Sequence, residues 1–88
     1  MTKLHEVAKL LDSGKYVTEY RWTGEGTVLV IEAKKVPILT VELVGEFFQV
    51  RNAHRTEKMV YSAKEVEKVA KFVSERWYQT MTVWQMGE

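Results

Sequence analysis

Residues 62–84 read SAKEVEKVAKFVSERWYQTMTVW, and how this stretch folds decides the architecture of the whole chain. Ser62 offers a capping hydroxyl and Glu65, three residues on, a carboxylate; together they satisfy two orphan amide donors reciprocally and start a helix. Val66, Val69, Ala70, Val73, Trp77, Met81 and Trp84 then recur at steps of three and four, lining one face of a 3.6-residue period. Lys64, Glu65, Glu67, Lys68, Lys71, Glu75 and Arg76 fall largely on the other side. The pattern predicts a helix over 63–85 whose apolar face closes a core.

Upstream of that helix the period is 2, not 3.6. Tyr16 to Trp22 is rich in aromatic and β-branched residues and alternates Tyr16, Thr18, Tyr20 and Trp22 against Val17, Glu19 and Arg21. Gly24-Glu25-Gly26 supplies the positive φ angles of a hairpin turn. A second strand is expected over 27–33, apolar on both faces at Val28-Leu29-Val30-Ile31 and therefore central. Lys34-Lys35-Val36-Pro37 is read as a turn, because proline lacks the ladder donor. A third strand follows over 38–44, a Gly45-Glu46 turn, and a fourth strand over 47–53. Lys58 to Tyr61 is either a short fifth strand or the lead into the last helix. At the start of the chain, Thr2 can cap a helix over 3–13 that buries Leu4, Val7, Ala8 and Leu11, with Gly14 ending it. The order is helix, antiparallel meander of four to five strands, long helix. That order predicts one α+β domain over 1–88 with both helices on one sheet face.

Eighty-eight residues bury only about 60–65% of their unfolded surface, so each large side chain in the core counts. A hydrophobic content of 45% with 28% charged residues is that of an ordinary globular chain. No apolar run approaches a membrane span, and no basic start precedes an apolar stretch, so neither a membrane anchor nor a signal peptide is expected. The absence of cysteine removes disulfides and thiolates and suits the cytoplasm. Scarce Asn and Gln beside abundant Lys and Glu suggest a thermophilic source. A net charge of +1 excludes wrapping of duplex DNA by bulk charge; any nucleic acid must meet a local patch.

Two histidines, one aspartate and three serines form no acid, base and nucleophile set at a recognisable spacing, so no enzyme, cofactor or metal site is expected. His5 has no His or Cys partner at i+3 or i+4. Gly24-Glu25-Gly26 joins strands instead of opening a helix, which excludes a phosphate loop.

Aromatic and basic residues do interleave on the strands. Tyr20-Arg21-Trp22, Phe47, Gln49 and Arg51, followed by His54, Arg55 and Lys58, combine rings that stack on unpaired bases with cations that follow phosphates. Helices can cover one face of a sheet, so the other is free to act as a platform; alternation puts Phe47, Gln49 and Arg51 on one face. The same rings are also what a small core wants. The C-terminal stretch is different again: no charge occurs from Trp77 to Gly87. A helix to residue 85 would be about 34 Å long and would overhang the sheet. Trp77, Met81 and Trp84 there predict a homodimer interface. Alternatively Thr80 and Thr82, poor helix formers, let the chain leave the helix and fold Trp84 back on its own core.

In element order, and in Tyr20, Arg21 and Trp22 with Phe47 to Arg55 and the long final helix, the chain resembles the archaeal single-stranded-DNA-binding proteins of the ThermoDBP type. That resemblance implies an aromatic and basic cleft on a sheet flanked by helices. Double-stranded-RNA-binding domains share the element order but open their last helix with a run of lysines, where Ser62-Ala63-Lys64-Glu65 has one lysine and an acid. The small Alu-domain proteins of the signal recognition particle share only size and a basic last loop. Two functions are therefore expected: non-catalytic binding of single-stranded DNA or RNA, or an interaction module that self-associates through the last helix.

Overall fold

The structure, a computed structural model, describes residues 2–14, 16, 18–54 and 56–86. Helix α1 spans Lys3–Asp12; strands β1 Glu19–Thr23, β2 Val28–Ala33, β3 Val36–Val44, β4 Phe47–Asn52 and β5 Lys58–Ser62 follow, and helix α2 spans Val66–Met86. The strands form one antiparallel sheet in the order β1-β2-β3-β4-β5, each pairing with its neighbour in sequence. The fold is α+β, as the two periodicities predict, and the short fifth strand exists.

Both helices bury their stripes against the same sheet face. Leu4, Val7, Ala8 and Leu11 of α1 and Val69, Ala70 and Val73 of α2 meet Leu29, Ile31, Leu39, Val41, Phe48 and Val50. Phe48 is fully enclosed; its loss would cost about 3–5 kcal/mol.

The ends of the elements follow local chemistry. Thr2 accepts the amide of His5, and Gly14, at φ 86, takes the left-handed position after the Ser13 cap. Before α2, the Ser62 amide donates to Glu65 Oε1 at 3.2 Å and the Ser62 hydroxyl accepts from the Lys64 amide at 3.2 Å. The predicted box forms, but as a separate turn, and the regular helix starts at Val66 instead of residue 63.

Two readings need correction. The turn between β2 and β3 is Lys34-Lys35 alone, with φ 52 and 68, and Val36 and Pro37 belong to β3. Proline is accommodated because the register shifts there: Ile31 pairs with Leu39 but Glu32 with Pro37, so the ladder is already irregular where the donor is missing. The first strand is shorter than 16–22, starting at Glu19; Tyr16 lies in a bend, and Val17 is outside the described residues.

The last helix does not break at its threonines. Thr80 donates its hydroxyl to Arg76 O at 2.8 Å and Thr82 to Tyr78 O at 2.9 Å, so both side chains bond back along a helix that continues past them, as the expected helix to residue 85 requires and the alternative exit there does not. At 21 residues α2 is about 31 Å long, against about 17 Å for the five-residue edge strands. Among the described residues, no helix is long and apolar enough to cross a membrane.

Candidate nucleic-acid interface

Strand register decides which predicted residues share a surface. Tyr20 pairs with Ile31, Ile31 with Leu39, and Trp22 with Leu29, so Tyr20 and Trp22 lie in rows that the helices cover. Trp22 stacks on His5 of α1 at 4.8 Å between ring centres. Tyr20 meets Trp22 edge-on and donates its hydroxyl to Asp12 at 2.6 Å. Partial burial, first, and then this bond to a carboxylate raise the Tyr20 pKa from 10.0 to about 12. The expectation that Tyr20 and Trp22 stack bases beside Phe47 is therefore corrected: both rings are half-buried and pack against the core.

The helix-free face carries the remaining predicted strand residues. Thr40 pairs with Arg51 and Arg51 with Lys58; Glu42 pairs with Gln49 and Gln49 with Val60; Val44 pairs with Phe47. Phe47, Gln49, Arg51 and Lys58 thus occupy one surface, with Phe47 53% exposed. Arg51 uses Nη2 to reach Gln49 Oε1 at 3.1 Å, while its Nε is buried without a partner among the described residues. Arg21 projects on this face too, but its Nε is held by Glu32 at 3.0 Å. Glu42 and Glu19 add acids to the same face, Glu42 opposite Gln49 and Glu19 opposite Glu32. His54 is exposed in the turn after β4, and Arg55 lies outside the described residues.

Sequence reasoning missed two parts of this surface. Val44 and Val60 flank the platform with about half their surface exposed; they read as ordinary strand residues, and only the register with Phe47 and Gln49 groups them. Beyond Phe47 a shallow cleft of about 440 Å³ is lined by Lys3, Glu46, Phe47, Ser62, Ala63 and Lys64. It brings cations from two helix starts to the ring, a juxtaposition made by residues 44 or more positions apart for Lys3.

The overhang of α2 differs from its prediction in detail. The Trp77 indole packs inward and donates to Glu32 O at 2.9 Å, and Met81 and Trp84 are half-buried. The exposed apolar groups are Tyr78 at 69% and Val83 at 64%. No group of three His, Cys, Asp or Glu side chains among the described residues could hold a metal ion. Compared with family models, with curated proteins and with solved structures, the chain finds no match.

Proposed function

We propose that the protein binds single-stranded nucleic acid on the helix-free face, without catalysis. The observation that carries this reading is the alternation of Phe47, Gln49 and Arg51 on one uncovered surface, with Lys58 in register beside Arg51. Phe47 stacks a base, Gln49 offers an amide to base edges, and Arg51 and Lys58 follow the phosphates. Lys3 and Lys64, in the cleft beside Phe47, extend the same path. The likeness in element order to ThermoDBP-type proteins agrees with this assignment.

Fluorescence titration with labelled oligonucleotides at low and moderate salt tests it. Phe47→Ala weakens binding by about 1–3 kcal/mol, the contribution of one stacked base. Lys58→Ala flattens the salt dependence by about 0.7 in log–log slope, one phosphate contact to a single strand. Trp22→Phe, on the covered face, leaves affinity unchanged. No binding even at low salt removes the reading.

A second reading is favoured by the overhang of α2, where Tyr78 and Val83 are exposed on a helix end that bears no charge from Trp77 to Met86. It makes the protein an assembly module that pairs through this helix. Sedimentation of wild type and Val83→Glu tests it: a dimer that the glutamate dissociates supports it, and a dimer that the glutamate leaves intact excludes it.

A further inference from the structure

The outer edge of β5, the last strand of the sheet, carries backbone groups without a partner among the described residues. Two bonds at the ends of the β4–β5 ladder show which way each residue of β5 turns: Ala63 N–H donates to Glu46 O at 2.9 Å, and Asn52 N–H to Glu57 O at 3.4 Å. In an antiparallel ladder alternate residues bond to a given neighbour. Glu57, Met59, Tyr61 and Ala63 therefore face β4, and Lys58, Val60 and Ser62 turn their N–H and C=O groups outward. Ser62 is already satisfied, its N–H by Glu65 Oε1 at 3.2 Å and its carbonyl by the Glu65 amide at 2.9 Å. Among the described residues nothing bonds to the outward groups of Lys58 and Val60. The side chains there are also uncovered on both sides of the sheet: Val60 is 52% exposed on the helix-free face and Met59 46% on the other.

We infer that two copies join by β5–β5 antiparallel pairing about a two-fold axis through Met59. Only one register uses all the free groups: Lys58 exchanges both hydrogen bonds with the partner's Val60, Val60 with the partner's Lys58, and the two Met59 side chains meet at the closely spaced position on the axis. The register places each lysine beside a valine, not beside its own copy. Charge at the border is compatible with self-pairing, because the acids flanking β5 are neutralised within their own chain, Glu65 by Lys68 at 3.0 Å and Glu57 by Arg76 at 3.7 Å. A two-residue edge is short for capturing a foreign peptide, whereas a second copy also brings its α2 alongside, where Phe72 lies against Tyr61. The axis stands perpendicular to the sheet, so the two helix-free faces fall on the same side. The two Phe47–Arg51 rows then run antiparallel about 14 Å apart, three strand spacings. The contact is small, at the low end of interface sizes, so the dimer forms only at high concentration.

This inference goes beyond the nucleic-acid reading and stands without it, since its test contains no nucleic acid. Sedimentation and amide exchange are measured on the full 88-residue chain from micromolar to millimolar concentration. The expected result is a dimer at high concentration, with slowed exchange at the Lys58 and Val60 amides alone within β5. Val60→Pro removes an outward donor without touching the β4 ladder and weakens dimerisation at least tenfold. Met59→Lys, which puts like charges on the axis, does the same and covers the case in which proline unfolds the strand. A wild type that is monomeric throughout, a dimer that survives both variants, or one dissolved by Val83→Glu instead overturns the inference.

Discussion

Tyr20 shows how one side chain can serve a function other than the one its neighbours suggest. Flanked by Arg21 and Trp22, it reads as a stacking ring, yet its hydroxyl is spent on Asp12. The folded state holds that phenol's proton up to about pH 12, while the unfolded chain releases it near 10.0. A pKa raised by folding means stability is complete below the unfolded value and lost as pH climbs toward the folded one. Chemical denaturation between pH 9 and 12 is expected to show stability falling across this window, and Tyr20→Phe is expected to flatten that fall while lowering stability at neutral pH. The outward orientation of Phe47 was legible from alternation within β4; the inward orientation of Tyr20 was not. Val28-Leu29-Val30-Ile31 is apolar at every position, so it hides which parity faces the helices. Only the four-residue turn 24–27, which sets Tyr20 opposite Ile31, resolves it.

Among the elements, α2 was the most legible, because its stripe of Val69, Ala70 and Val73 repeats without interruption and is buried as written. Its start was misplaced by three residues, since the Ser62–Glu65 box closes a turn before the regular helix begins. That box is the element's anchor to β5. Ser62→Ala is expected to cost about 0.5–2 kcal/mol, a drop in Tm of several degrees for a domain this size, measured by thermal denaturation. Bonding to Lys68 and then to the Ser62 amide lowers the Glu65 pKa. Stability from this carboxylate is therefore present above the ordinary glutamate range and disappears as pH falls through the lowered value; Glu65→Gln should flatten the acid limb of the stability profile. The bonds of Thr80 and Thr82 to the preceding turn were not legible, because propensity alone sees two helix-averse residues and not where their hydroxyls go.

For the whole molecule, the architecture followed from two periods and their order, while the functional surface depended on register, which spans strands and is written in turn lengths. Pro37 illustrates the difference: as a residue it argued for a turn, and only the irregular pairing of Glu32 explains its place inside β3.

A sheet in which every strand lies beside its predecessor has a kinetic meaning as well. Each hairpin closes a short loop before the next is attempted, so little chain entropy is spent in advance of reward; the helices at the two ends are the partners that must find each other across the length of the chain. Refolding is expected on the millisecond scale of mixed α/β domains with mainly local contacts, in a single phase by stopped-flow. Joining α1 to α2, and not assembling the strands, is then expected to be the step that sets the speed.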